Sequence, residues 1–282
     1  MVRIAAIGDN VTDCYVDQGV MFPGGNCVNV AVRAARAGAH AAYIGQVGQD
    51  ERGQLLLDAL SAESVDTSGV RVVPGRTSRT VVRHVAGDRY FGSTDKGVRV
   101  FAPRAADLDL VATYDLAHVS YCSELDEVVP ELSRRVPVSY DFDERLHTPG
   151  TEELLRHVTV AAFSGAALDD VEAMDVVRWA HDRGVTWVVL TRGRSPALVS
   201  NGHQVVRAVP REVTAVDTLG AGDAFIARAL VGVAGDEPLE TLASRAAQSG
   251  AEACLEQGGF GYGRPLTDDD AGLRRLVFRA AE

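Results

Sequence analysis

Apolar runs rich in valine, isoleucine and alanine recur along this chain, and helix-like stretches separate them. "RIAAIG", "AAYIGQVG", "DLAHVS", "VPVSYDF", "VTVAAF" and "TWVVLTRG" are near-continuous apolar segments, as expected of strands buried on both faces. Between the first two, "NCVNVAVRAARAG" places Val28, Ala31, Val32 and Ala35 on one helical face, with Asn26 as N-cap and Gly38 as the stop. "DERGQLLLDALSAE" follows as a second helix. Strands that alternate with helices predict a three-layer α/β/α fold around a mostly parallel central sheet.

Residues 71–101 break that rhythm. "VRVV", "TSRTVVRHV", "DRYFGST" and "VRVF" are short alternating segments bounded by Gly, Asp and Pro, and they predict a small antiparallel sheet. With residues 11–24 it would form a lid, residues 77–101 being its other half. "PALVSN" and "QVVRAVP" add two more strands, followed by helices over about 222–233 and 238–256. No repeat or linker interrupts the 282 residues, so a single domain with a small lid is expected over 1–282.

A net charge of −11 argues against nucleic-acid or anionic-membrane partners, which require a positive footprint. No apolar run approaches the roughly 20 residues of a membrane span, and the N-terminus lacks a signal-peptide pattern, so a cytoplasmic protein acting on a small molecule is expected. Cys14, Cys27, Cys122 and Cys254 are scattered without metal-ligand spacing. Lys96 is the only lysine and sits in no Walker-type loop, so any nucleotide phosphate must be held by another device.

That device is offered by "DTLGAGDAF", residues 217–225. Helical spacing begins after its glycines, which leaves the amides of Gly220, Ala221, Gly222 and Asp223 at a helix N-terminus, a ready anion hole. Asp223 suits the helix dipole as a plain first-turn carboxylate. It equally suits a base beside that hole, accepting a hydroxyl proton during phosphoryl transfer.

"DTLGAGDAF" resembles the C-terminal signature of the PfkB, or ribokinase-like, carbohydrate kinases. "PGGNCVNVAVRAARAG" and "YIGQVGQDERG" resemble that family's N-terminal signature. The resemblance implies an ATP-dependent kinase with Asp223 as catalytic base and Gly220, Ala221 and Gly222 as the anion hole for the γ-phosphate. It places Asp217 and Thr218 near the nucleotide phosphates and a monovalent-cation site such as one for K+. Asp13, Gly24, Gly25, Asn26 and Asn29 match substrate-facing positions, although Asn26 and the two glycines also read as a cap and a turn. Asp13 is read as following directly on the first strand, at the ligand-binding end of the sheet.

"LTRGRSPALVS" resembles the family's T-x-G-x-x-G nucleotide loop and assigns Thr191 and Gly193 to the nucleotide, with Pro196 where relatives have the final glycine. The family's N-x-x-E motif, which organises Mg2+ and phosphates, is absent: Ser164 stands in "AAFSGAALDD" with no glutamate following. Asp169 and Asp170 read as a solvated helix start, and the metal ligands are unassigned.

"GDNVTDCYVDQGVMFPGGNCVNVAV", "DRYFGSTDKGV" and "YDFDERL" look most like the family's fructoselysine 6-kinase branch. They imply phosphorylation of a primary hydroxyl on a ketose-like substrate, a fructosamine first of all, with Arg89, Tyr90 and Asp95 on the lid either meeting its amino-acid part or solvated. Kinases for fructose, ribose or a nucleoside, and a sensing protein on the same fold, are the alternatives. A homodimer through the lid is a further expectation.

Overall fold

The computed structural model describes residues 1–85 and 88–267. The chain enters through β1 (Arg3–Gly8), then runs into a hairpin of β2 (Val11–Tyr15) and β3 (Val20–Gly24). Next come α1 (Asn26–Arg36), β4 (His40–Gly48), α2 (Glu51–Ala62), β5 (Val70–Val73), β6 (Arg79–Val85) and β7 (Asp88–Asp95). The middle holds α3 (Ala105–Val111), β8 (Leu116–Ser120), α4 (Val129–Leu132), β9 (Val138–Asp141), α5 (Pro149–Leu155), β10 (Val160–Ser164) and α6 (Asp170–His181). The last part contains β11 (Trp187–Thr191), β12 (Ala197–Ser200), β13 (Val205–Ala208), α7 (Ala221–Ala234), α8 (Leu239–Ala253) and β14 (Arg264–Pro265).

Nine strands form the central sheet in the order β13-β12-β11-β10-β9-β8-β1-β4-β5. Strands β11 to β5 in that order are parallel, and β12 and β13 add an antiparallel edge. Alternate side chains of each strand face opposite layers, as the pleat requires. Ala5 and Ile7 pack with α3 to α6, whereas Ile4 faces α1, α7 and α8 and Ala6 faces α1 and α2. Helix α1 is buried along residues 27–34 because α7 covers the side that would otherwise meet water. The three-layer α/β/α expectation therefore holds.

The second sheet has the order β14-β3-β2-β6-β7. Three differences from the sequence expectation stand out. "VRVV" joins the central sheet as β5, parallel to β4, instead of the small one. "VRVF" forms no strand; its Phe101 is buried in the main core, with the Arg71 guanidinium 4.3 Å above its ring. The small sheet is also not wholly antiparallel, since β2 runs parallel to β6.

The order of parallel strands reverses between β1 and β8, so the loops leaving these two strands diverge and open a crevice at their carboxyl ends. The small sheet begins three residues after β1 and delivers the chain straight into α1.

Candidate active site

Asp9 is the first residue beyond β1, at the crevice. Its carboxylate accepts from the backbone N–H of Asn26 at 2.8 Å and from the hydroxyls of Ser120 at 2.7 Å and Ser123 at 2.9 Å. These bonds tie the start of α1 to the end of β8. Gly25, at φ 106°, is the N-cap of α1, and Asn26 is its first helical residue, which corrects the expectation that Asn26 caps the helix. A Cβ at Gly25 would lie 2.6 Å from Asn10 Cα, so both the backbone angle and the close approach require glycine.

Freed from capping, the Asn26 side chain points at the carboxylates. Its Nδ2 donates to Asp141 Oδ2 at 2.8 Å and to Asp223 Oδ1 at 2.9 Å. One turn along the helix, Asn29 Nδ2 donates to Asp223 Oδ2 at 2.6 Å. Spacing i, i+3 puts both amides on one helix face, so Asp223 is held by a donor on each oxygen. Asp223 lies in the first turn of α7, and α1 packs directly against α7.

Burial is the first cause that pushes the Asp223 carboxyl up, to about 7. The Asn29 hydrogen bond opposes it, while the charges of Asp141 and Asp9 push further upward and Arg33 pulls back. Asp141, at the end of β9, is raised to about 6, again mainly by burial. Burial and the neighbouring carboxylates thus leave Asp223 titrating near neutral pH, the range in which a carboxylate is best placed to accept a proton.

Gly220 is the N-cap of α7 at φ 74°. A Cβ there would come within 3.0 Å of Gly259 backbone, so glycine is required by the packing of two loops as well as by the backbone angle. At Gly222 a Cβ would meet no atom within 4 Å, which leaves open space in front of the helix. The Ala221 N–H bonds to Thr218 O at 3.3 Å. The N–H groups of Gly222 and Asp223 have no acceptor among the described residues. An anion with three acceptor oxygens fits this open end.

Asp217 is buried and shapes the loop before the helix. Its carboxylate accepts from Leu219 N–H at 3.0 Å, Gly258 N–H at 3.0 Å and Tyr15 O–H at 2.5 Å. The last bond fastens the small sheet to the loop that leads into α7. Asp13 sits in the middle of β2, not directly after β1 as expected, and is paired with Phe22 and Thr80. A Cβ at Gly24 would lie 2.4 Å from Asp13 Oδ2, so the carboxylate rests against that glycine. Arg89 and Tyr90 belong to β7, but their side chains lie outside the described residues.

Thr191 ends β11 beside Ser164 of β10, and its backbone oxygen accepts from Gly165 N–H at 2.8 Å. Gly193 adopts φ 58°. Where a final glycine is replaced by Pro196, the buried Arg192 holds the turn: it bonds Pro196 O at 3.4 Å, Leu168 O at 2.8 Å and Asp170 at 2.7 Å. Asp169 caps α6 through Val171 and Glu172 N–H, in line with a helix-start reading.

The structure thus joins Asn26, Asn29, Asp223 and the loop 220–222 in one cluster. Asp9, Asp141 and His118 belong to that cluster and were missed, although two of them carry a readable signal: Asp9 and Asp141 stand at the carboxyl ends of buried strands. Among the described residues, buried Asn10 Oδ1 and Asn29 Oδ1 have no hydrogen-bond partner. Asn29 Oδ1 lies against Gly259, where a Cβ would come within 2.3 Å of it. No helix among the described residues is long and apolar enough to cross a membrane.

The pfkB family carbohydrate kinase model matches residues 2–135 and 152–261. Fructosamine kinase FrlD of Bacillus subtilis (strain 168) is 37% identical over 276 residues, spanning 96% of this chain and 97% of that protein. Fructoselysine 6-kinase of Escherichia coli (strain K12) is 34% identical over 234 residues, spanning 82% of this chain and 89% of that one. The solved ribokinase of Arabidopsis thaliana, complexed with ribose and ATP, matches with a TM-score of 0.78 at 19% identity, covering 93% of this chain and 96% of that one. At that identity the likeness speaks for the fold.

Proposed function

The chain belongs to the pfkB family of carbohydrate kinases, and on that premise we propose that it transfers the γ-phosphoryl group of ATP to a primary hydroxyl of fructoselysine or a related fructosamine, giving the 6-phosphate. The observation that carries the mechanism is Asp223, clamped by Asn26 and Asn29 at the open N-terminus of α7. The identity shared with the two fructosamine-class kinases along most of the chain supports the acceptor.

Asp223 takes the proton of the acceptor hydroxyl as that oxygen attacks phosphorus. The Gly222 and Asp223 amides then face the charge that spreads over the moving phosphoryl oxygens. Asn26 and Asn29 keep the base aimed, and Asn10 at the start of the β2–β3 hairpin lies beside them on the acceptor side. Thr191 and Gly193 contact the nucleotide, while Asp217 and Thr218 border a monovalent-cation site. Asp13, Gly24 and Arg89 of the small sheet close over the acceptor and exclude water, which would otherwise waste ATP.

Mg2+ bound with the nucleotide would neutralise phosphate oxygens. Among the described residues no group of three or more His, Cys, Asp or Glu could cage a metal ion. The protein acts in the cytoplasm as a homodimer joined through the small sheet, whose edge strand β7 exposes Phe91.

The test is ADP release over a panel of fructoselysine, other fructosamines, fructose, ribose and nucleosides. Fructosamines should give the highest kcat/KM, and Asp223→Asn should retain sugar binding while turnover drops by about two to four orders of magnitude. A dominant acceptor from another class would overturn the substrate assignment. Ligand binding without any turnover would favour a sensor.

A further inference from the structure

Asn26 donates both N–H groups of one amide nitrogen, one to Asp141 and one to Asp223. That arrangement needs a fixed amide orientation, because a flip would set the carbonyl oxygen against two carboxylates. The atom that opposes the flip lies on the other side: His118 Nε2, 2.8 Å from Asn26 Oδ1. With the amide nitrogen committed to carboxylates, the oxygen faces the histidine, and an oxygen only accepts. Nε2 therefore carries the proton, and Nδ1 accepts from the Ser139 hydroxyl at 3.1 Å.

We propose that His118 is a positioning residue for phosphoryl transfer, locking the Asn26 amide in the orientation that donates to Asp141 and Asp223 together. The inference rests on the reading of Asp223 as base. His118 is fully buried in β8, so its ring meets only protein atoms and acts through Asn26. Burial holds the ring neutral by pushing it down to about 4, with the Asp9 charge opposing. A neutral ring with one donor and one acceptor is what the lock requires over the working pH range. The charges that bear on Asp223 are Asp141 from β9, Asp9 after β1 and Arg33 from α1. Loss of the lock removes a donor that stabilises the ionised base among the two like charges.

The experiment is the pH dependence of kcat and kcat/KM from pH 5.5 to 9.5, with ATP and fructoselysine, for the wild type, His118→Phe, His118→Gln, Ser139→Ala and Asp223→Asn. His118→Phe should move the acidic limb up by about one pH unit, with about tenfold less turnover on the acid side and near recovery at high pH. His118→Gln retains a donor and should return the limb toward its wild-type place. Ser139→Ala should shift it by a smaller step in the same direction, and it carries the test if His118→Phe does not fold. An unmoved limb, or an equal loss at every pH, overturns the proposal. Inactive Asp223→Asn beside an unmoved limb rejects the role of His118 alone, whereas active Asp223→Asn rejects the base itself. Nitrogen chemical shifts of His118 give a readout independent of activity: the Nε2–H tautomer should persist across this range, and an Nδ1–H or doubly protonated ring would refute the lock.

Discussion

Asp223→Asn should make the ligand-free protein more stable at alkaline pH while removing its turnover. In an unfolded chain an aspartate titrates near 3.8, whereas the folded Asp223 titrates at about 7. Between those values the folded chain holds a proton that the unfolded chain has released, so stability falls as pH rises and the full cost is present above about 7. A shift of about 3 units corresponds to a ceiling of about 4 kcal/mol. Asp223 is only half-buried, and solvent screening brings that to roughly 2 kcal/mol.

Asparagine removes the charge but meets two amide donors with one oxygen, so one of the Asn26 and Asn29 contacts opposes an NH2 group, at about 1 kcal/mol. The remainder, about 1 kcal/mol at pH 8.5, should raise Tm by roughly 2–4 °C for a chain of this size. At pH 5 most of the cost in the wild type has disappeared, and the two proteins should melt together. Thermal melts of both at the two pH values, without ligand, measure this. A Tm difference that is the same at pH 5 and pH 8.5 would refute the reasoning, because it would mean that the native fold does not strain this carboxylate.

For the wild-type enzyme, kcat/KM should fall about tenfold per pH unit below about 7, since Asp223 must be ionised to accept a proton; a flat profile down to pH 6 would contradict that assignment. Gly25→Ala forces a side chain against Asn10 at a backbone angle that L residues avoid, and should cost at least about 2 kcal/mol and most of the activity; circular dichroism melts and ADP release check both. Tyr15→Phe removes the bond from the small sheet to Asp217 and should raise KM for ATP several-fold more than it changes stability. Arg192→Ala leaves Leu168 O, Pro196 O and Asp170 without their common partner, and should raise KM for ATP with little effect on acceptor KM.

Layer architecture was legible in the sequence because strands buried on both faces leave long apolar runs, and the six runs quoted for β1, β4 and β8 to β11 all became central strands. Sheet membership was less legible. "VRVV" has the alternating look of a surface hairpin, but its partner is β4, some 25 residues earlier, and four residues carry no mark of which sheet they join. Strand β14 is two residues long and exerts no pattern at all. Asn26 was read as a cap because asparagine suits that place, whereas Gly25 takes it by virtue of a positive φ that leaves the Asn26 side chain free for Asp141 and Asp223. The cluster of Asp223 and the asparagines was found through short motifs. His118 was not, because a histidine inside "DLAHVS" looks like any buried polar residue until Asn26, 92 positions earlier, is placed beside it.

The bonds that build the site span nearly the whole chain: Asn29 to Asp223 is 194 residues, Tyr15 to Asp217 is 202, and Arg33 to Gly259 O is 226. During synthesis, the first half of the molecule emerges with α1 already carrying two asparagines and a buried-to-be arginine on the side that α7 will cover. Those groups stay hydrated until the last third leaves the ribosome, so docking of α7 against α1 is a late, long-range event, slow by topology. A nascent or truncated chain without residues 217–259 therefore lacks the partners of Tyr15, Asn29 and Arg33, and this cluster assembles only after that segment has docked on α1.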